Sequence, residues 1–318
     1  MKQARVILNP SSGRERGPEH IELLATRLKQ RFDNVAVVVT AGDGDAERAA
    51  RMAAADGCEA LFVAGGDGTL NEAINGLATA GALAEVVVGI VPFGTGNDFA
   101  AALGIPLETE PALDVLLEGR ERAVDLGEVN GRVFVNTSGG GFIGEVSVAV
   151  TPQLKTIAGR LAYLIGGAQV LFEFEPVGAS VTIMPGPVTV SRRLYAFAIC
   201  NSRLIAGGRL IAPDALIDDG LLDVCLIEAM SALEFVALAR KVADGGHVKD
   251  PRVHSYQAQS LRVELDRAVH VNTDGEVFED TRCNYRVLPR AGRFLVGDAP
   301  FIGAAVRAAA RGRPTSKT

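Results

Sequence analysis

The feature that most restricts what this chain can fold into is a change of periodicity across residues 60–77. Ala60-Leu61-Phe62-Val63 is a short apolar run of the kind that forms a buried parallel strand. Leu70, Ala73, Ile74 and Leu77 then fall at helical spacing. Between the two lies Gly65-Gly66-Asp67-Gly68-Thr69, followed by Leu70-Asn71-Glu72. The chain therefore leaves a strand, makes a glycine turn and enters a helix. Its glycines allow positive φ and close approach of a ligand to the backbone. The unpaired N–H groups of a helix start then form an anion site. Asp67 is not suited to holding phosphate, because like charges repel; an acid in such a cradle points to a metal ion or a proton acceptor. A plain tight turn capped by Thr69 is the alternative that residue type leaves open. The loop is not a Walker A motif, since no Gly-x-x-x-x-Gly-Lys-Ser/Thr occurs in the chain.

Two further loops share this design. Val6-Ile7-Leu8 reads as a buried strand that runs into Asn9-Pro10-Ser11-Ser12-Gly13, with Arg14 and Arg16 just beyond. Val86 to Val91 reads as another, closed by Pro92-Phe93-Gly94-Thr95-Gly96-Asn97-Asp98-Phe99. Each alone is an ordinary turn. Three together, after three strands that alternate with helices, suggest one ligand site at the carboxyl ends of an open sheet. Ile21, Leu24, Ala25 and Leu28 mark a helix; Val35 to Val39 is a strand ending at Thr40; Ala46 to Ala55 is a helix started near Asp43 or Asp45. Alternation of this kind up to about residue 120 predicts a parallel α/β layer.

Beyond that point the texture changes. Strand-like segments flank the hairpin dipeptide Asn130-Gly131, and Asp125 in the first of them reads as a surface acid. Val177 to Ile183, Val188 to Ile199, Leu222 to Ile227, Leu261 to Leu265, Val269 to Val271 and Tyr285 to Leu288 are rich in β-branched residues. They predict an antiparallel sheet, folded as a sandwich. Ser231 and Glu234 form a capping box for a helix through Val242. Residues 160–172 carry an apolar stripe that reads as helical core, and 301–311 reads as a terminal helix. Gly139, Gly141 and Gly144 match Gly-x-Gly-x-x-Gly, but they lie mid-chain with no acid near residue 160, so a hinge or close backbone packing is the better reading.

Charge and cysteine usage narrow the function. A formal net charge of -6 argues against a nucleic-acid binder driven by phosphate attraction. The four cysteines and four histidines share no metal or redox spacing. The first residues lack the apolar core of a signal peptide, and no uninterrupted apolar run reaches about 18 residues. A cytoplasmic protein with reduced thiols, meeting membranes at most peripherally, is the expectation.

Gly65-Gly66-Asp67-Gly68-Thr69 resembles the signature of the diacylglycerol kinase, sphingosine kinase and NAD kinase superfamily, whose nucleotide-binding half is similar to that of phosphofructokinases. Asn9 to Gly13 resembles the Asn-Pro-x-Ser-Gly loop of the lipid kinases, which is not expected in this form in an NAD kinase. Pro92 to Phe99 resembles the family's Pro-x-Gly-Thr-x-Asn-Asp-Phe segment. Two acidic segments extend the match, Pro213 to Gly220 and Asp274-Gly275-Glu276, so that it runs in order along nearly the whole chain. Thr273 stands where the family usually has Leu or Met.

The resemblance implies a phosphofructokinase-like α/β nucleotide-binding domain over residues 1–125, an antiparallel β-sandwich lipid-substrate domain over 126–298, and a helix over 299–318 returning to the first domain. It implies an ATP-dependent lipid kinase of the bacterial diacylglycerol kinase type, working with Mg²⁺ on a lipid at the membrane surface, with a homodimer as one option. Asn9, Thr40, Gly65, Gly66, Asp67, Gly68, Thr69, Leu70, Asn71 and Thr95 match the nucleotide contacts. The carbonyls of Leu216 and Leu221 and the carboxylate of Asp219 match a structural Mg²⁺ site. Glu276 matches the proton acceptor, with Asp67 as the other acid at the reaction, Asp125 is a candidate neighbour of the site, and the acceptor is expected to reach Glu276 between the two domains. The same motifs leave room for a sphingoid base, phosphatidylglycerol or NAD as acceptor, and for a nucleotide-binding regulator without turnover.

Overall fold

The computed structural model describes residues 2–12, 18–149, 170–171 and 173–298. The expected terminal helix, nearly all of the apolar stripe over 160–172, and Gly13, Arg14 and Arg16 lie outside them. The chain forms two compact units, one built from residues 2–126, 216–220 and 289–298, the other from 127–215 and 221–288.

The first unit alternates as its periodicity predicts. In order it contains β1 (Gln3–Leu8), α1 (Pro18–Leu28), β2 (Asn34–Val39), α2 (Asp45–Ala55), β3 (Ala60–Gly65), α3 (Asp67–Thr79), β4 (Val87–Pro92), α4 (Asp98–Ala102) and α5 (Thr109–Glu118). The strands are parallel in the order β2-β1-β3-β4, and residues 293–294 extend the sheet beside Val87 and Val88. Right-handed crossovers place α1 on one face and α2 and α3 on the other, because the chain first moves outward from β1 to β2 and then back across to β3. The contacts agree: α2 packs on α3, and α1 on α5. Every residue of β3 and β4 is buried, as unbroken apolar runs covered on both faces must be. Leu61, Phe62, Val63, Ile74, Leu77 and Leu116 are fully buried in this core, each contributing about 1.5–3 kcal/mol of transfer free energy. The sheet's order reverses between β1 and β3, which is where doubly wound sheets open a crevice.

β5 (Glu121–Val129) leads from the first unit into the second. There it turns through Asn130 (φ 48°) and Gly131 (φ 88°) into β6 (Arg132–Phe134), a two-residue hairpin with both central residues left-handed, as the Asn-Gly dipeptide predicts. The unit continues with β7 (Thr137–Gly141), α6 (Phe142–Ala149), β8 (Val177–Met184), β9 (Val188–Cys200), β10 (Leu204–Ile205), β11 (Arg209–Leu210), β12 (Leu222–Glu228), α7 (Ala232–Lys241), β13 (Val253–Ala258), β14 (Ser260–Thr273) and β15 (Glu276–Leu295). The pairings within this unit are antiparallel; beyond Leu288, β15 belongs to the first unit, where residues 293–294 run parallel to β4. The long strands β9 and β14 each pair with β8 along one part of their length and with β7 along another, and a bulge between Glu264 and Val269 bends β14 between them. This is the β-sandwich the alternating pattern predicts. One core gathers Phe134, Phe197, Val263, Val271 and Tyr285; a second gathers Tyr195 and Phe235, whose rings stack with centroids 4.2 Å apart. Ser231 and Glu234 make the expected capping box at the start of α7.

The Gly139–Gly144 pattern is a packing device. A Cβ on Gly140 would lie 2.3 Å from the Phe197 ring, and one on Gly144 would lie 1.8 Å from the His270 carbonyl oxygen. The four cysteines are buried free thiols, and burial pushes Cys225 and Cys283 up to about 12.

Candidate active site

The three loops follow β1, β3 and β4, which are adjacent and parallel, so they share one edge of the sheet. Hydrogen bonds join them. Asn9, straight after β1, donates its backbone N–H to the Ala64 carbonyl at 2.9 Å and its side-chain Nδ2 to Thr69 Oγ1 at 2.9 Å. Its Oδ1 accepts the Ser11 N–H at 2.9 Å. The first loop is therefore tied to the second across the position where the strand order reverses. Thr40, at the end of β2, is buried, and its N–H donates to the Leu8 carbonyl at 2.9 Å.

The second and third loops meet glycine on glycine. A Cβ built on Gly94 would sit 2.5 Å from Gly66 Cα, so no other residue fits there without moving backbone. Phe93 donates its N–H to the Gly65 carbonyl at 3.0 Å. Asn97, at φ 55°, closes the third loop with both ends of its amide: Gly94 N–H donates to Oδ1 at 3.0 Å, and Nδ2 donates to the Gly94 carbonyl at 2.7 Å. Thr95 is exposed at the tip of that loop.

Gly66 caps α3, and Asp67 is its first helical residue. The Asp67 carboxylate is half-buried and accepts the N–H groups of Asp98 at 3.4 Å and Phe99 at 3.5 Å, at the start of α4. Burial pushes its pKa up from the usual carboxylate range, and the neighbouring Asp98 pushes it further in the same direction. Thr69 is buried, Gly68 is exposed, and Leu70 turns its side chain into the core. Asn71 is fully buried, where Asn75 Nδ2 donates to its Oδ1 at 3.1 Å. Glu72 reaches away to α2, accepting the Ala46 N–H at 3.2 Å, so it serves that helix start.

Asp125 corrects its sequence reading. It is fully buried, not a surface acid. Its carboxylate accepts the N–H groups of Gly220 at 2.6 Å and Arg290 at 2.7 Å, and its own N–H donates to the Ile217 carbonyl at 2.7 Å. Burial raises its pKa, against the pull of those two N–H groups. Asp125 thus pins residues 216–220, the turn that carries Leu216 and Asp219; Leu221 stands just ahead of β12 in the second unit. Among the described residues, no three His, Cys, Asp or Glu side chains group as a metal site.

In the second unit, Asp274 and Gly275 form the two-residue turn between β14 and β15, pairing Thr273 with Glu276. The Asp274 carboxylate accepts the N–H groups of Val135 at 2.5 Å, Asn136 at 3.1 Å and Thr137 at 2.9 Å. Glu276 opens β15 and is half-exposed; its Oε1 pairs with Arg132 Nη2. Nothing in the sequence reading singled out Arg132 or the anchoring role of Asp274. Arg132 follows the Asn130-Gly131 turn, 144 residues before its partner, and no local spacing signals such a pair.

Two family models match the chain in succession. The family model described as the diacylglycerol kinase catalytic domain matches residues 3–129. The one described as the YegS C-terminal NAD kinase β-sandwich-like domain matches residues 141–296. The diacylglycerol kinase of Bacillus subtilis (strain 168) is 34% identical over 277 residues, covering 87% of this chain and 90% of that protein. The diacylglycerol kinase of Staphylococcus aureus (strain MRSA252) is 32% identical over 289 residues, covering 91% of this chain and 90% of its own. A crystal structure of a diacylglycerol kinase from Bacillus anthracis str. Sterne superposes with a TM-score of 0.72 at 22% identity, over 94% of this chain and 98% of that one, which supports the fold. The chain belongs to the diacylglycerol kinase family, kinases that phosphorylate an alcohol group.

Proposed function

We propose that this chain transfers the γ-phosphoryl group of ATP to the hydroxyl of a membrane lipid, with diacylglycerol as the foremost acceptor. The observation that carries the nucleotide half of this reading is the union of the three loops. Asn9, Thr69, Gly66, Phe93 and Gly94 lock them together at the reversal point of the sheet, beside the N-terminus of α3, where backbone N–H groups and the helix dipole favour phosphate. Glycine at 66 and 94 holds the loops within contact of each other, and the exposed Gly68 and Thr95 face solvent, where a nucleotide can approach.

In the proposed reaction the lipid oxygen attacks the γ-phosphorus, the bond from that phosphorus to the bridging oxygen breaks, and ADP leaves. Glu276 takes the hydroxyl proton. A lipid hydroxyl is a weak nucleophile, and a carboxylate within hydrogen-bond reach is the group suited to accept its proton during transfer. Asp67 is placed at the phosphate loop as the second acid. Mg²⁺ bound with the phosphates would neutralise developing charge. A structural Mg²⁺ would be held by the carbonyls of Leu216 and Leu221 and the carboxylate of Asp219, oxygen donors of the type that hard cations take, on the turn that Asp125 pins. Among the described residues no helix is long and apolar enough to cross a membrane, so the lipid is met at its surface, from the cytoplasmic side in this reading.

The test is phosphoryl transfer from labelled ATP to diacylglycerol, a sphingoid base, phosphatidylglycerol and NAD, each presented separately. Incorporation into diacylglycerol above the others supports the reading; incorporation into NAD alone overturns it. Glu276→Gln is expected to lower kcat about 10²–10⁴-fold while nucleotide affinity stays near the wild-type value. A raised KM for ATP with kcat preserved would make Glu276 a binding group instead.

A further inference from the structure

We infer that Arg132 is a positioning residue for Glu276, holding the carboxylate in the orientation from which it takes the acceptor's proton. The inference rests on the reading of Glu276 as the proton acceptor.

A glutamate at the start of a strand, half-exposed, has three rotatable bonds whose rotamers its backbone position leaves open. For such a group to work as a base, something must fix it. Arg132 Nη2 engages Glu276 Oε1, and Oε2 accepts nothing from the described residues, which leaves it for a substrate hydroxyl. A guanidinium is suited to this because its charge does not titrate away and its donors are planar and fixed in direction.

What makes the pair more than a surface contact is how firmly Arg132 itself is placed. The hairpin that carries it is tied to the strand that carries Glu276 at both ends. On one side, the Asn130 N–H donates to the Asn284 carbonyl at 3.1 Å, the Asn284 N–H donates to Asn130 Oδ1 at 2.9 Å, and Asn130 Nδ2 reaches the Arg282 carbonyl at 3.0 Å. On the other side, the Asp274 carboxylate gathers the N–H groups of residues 135–137, and the Asp274 N–H donates back to the Thr137 carbonyl at 3.0 Å. Arg132 lies between these two clamps. Below it, Ser138 Oγ lies 2.7 Å from Thr273 Oγ1 and 3.1 Å from the Tyr285 hydroxyl, so the strands on either side of the Asp-Gly turn are cross-linked as well. The backbone on which Arg132 stands is therefore fixed against the backbone on which Glu276 stands. An exposed ion pair of this kind adds little to stability; its effect is on direction.

The test is a double-mutant cycle read in steady-state transfer to diacylglycerol in mixed micelles, with binding of a non-hydrolysable ATP analogue and thermal melting measured alongside. Arg132→Met is expected to lower kcat about ten- to a hundredfold, with analogue affinity and melting temperature near the wild-type values. Arg132→Lys should recover part of the loss, since it restores the charge without the fixed fork. Arg132→Met combined with Glu276→Gln should be no slower than Glu276→Gln alone. Losses that multiply would place Arg132 on some other group, and wild-type kcat in Arg132→Met beside a slow Glu276→Gln would overturn the positioning role. If Glu276→Gln itself kept kcat, the reading of Glu276 as the base would fail first. Should Arg132→Met not fold, Arg132→Gln, which keeps a polar side chain on the hairpin, carries the same comparison.

Discussion

The dipeptide Asp-Gly occurs in each of the two units, as Asp67-Gly68 in the first and as Asp274-Gly275 in the second, and the two have opposite lives. In the first, a turn runs into a helix, and the acid faces N–H groups at 3.4 and 3.5 Å in surroundings that raise its pKa. In the second, a turn joins two strands, and the acid sits in a nest of three successive backbone N–H groups, at 2.5 to 3.1 Å. Burying a carboxylate is expensive unless it is well hydrogen-bonded. Asp274 meets that condition and acts as a structural anchor. Asp67 accepts longer hydrogen bonds from Asp98 and Phe99, and burial with the neighbouring Asp98 pushes its pKa up, the direction in which an acid is tuned for proton transfer.

The sharpest way to break this contrast is Asp67→Asn. We expect kcat to fall about 10²–10⁴-fold while the melting temperature at neutral pH stays level or rises by about 1–4 °C. The sign follows from the direction of the shift. Asp67 binds its proton more tightly in the folded chain than in the unfolded one, so its ionisation opposes folding once pH exceeds the folded value. The variant's advantage should therefore shrink as pH is lowered through that raised value toward the ordinary carboxylate range. A variant that is both less stable at neutral pH and fully active would make Asp67 a second anchor and end the comparison.

Asp274→Ala tests the other side. It strands three backbone N–H groups in a buried turn, and the expected loss is about 3–5 kcal/mol, seen as a melting temperature lower by roughly 10 °C. Activity should fall with it, because the same nest sets the turn that presents Glu276. An unchanged melting temperature would mean that water or relaxation satisfies those N–H groups.

The contrast also separates what could be read from the sequence and what could not. The Asp67 loop was legible because its meaning is local: strand, glycines and helix follow one another within a dozen residues, and the hydrophobic periods on either side fix which is which. The Asn130-Gly131 and Asp274-Gly275 hairpins were legible for the same reason. The surface reading of Asp125 failed because the alternation of a strand places a residue on a face but does not tell which groups cover that face. Here they come from Gly220 and Arg290, far along the chain. Arg132 was passed over because its partner is equally remote. Asp274 was seen as turn chemistry alone, since the N–H groups that fill its carboxylate belong to a segment with no distinctive composition. The loops carry their own signals; the anchors that hold them are matters of tertiary pairing.

The smallest effect discriminates most finely, because it uses the glycine of each dipeptide. Gly275 has φ 102°, a conformation that a side chain strains. Gly68 has no such torsion, and a Cβ built on it meets nothing within 4 Å. It also lies in the first turn of a helix, where alanine is preferred over glycine by roughly 0.5–1 kcal/mol. Gly275→Ala should therefore destabilise the chain by about 1–2 kcal/mol, and Gly68→Ala should stabilise it by a few tenths. If Gly68 were a folding residue like Gly275, its role would end there. If it is glycine because a nucleotide phosphate lies against its backbone, the same stable Gly68→Ala variant should bind ATP more weakly, by about tenfold, which is the loss of about 1.4 kcal/mol of contact. Calorimetric titration of the folded variant with a non-hydrolysable ATP analogue reads this directly. Unchanged affinity would assign the open face beside Gly68 to solvent and move the phosphate contacts to the Gly66 and Gly94 side of the loop.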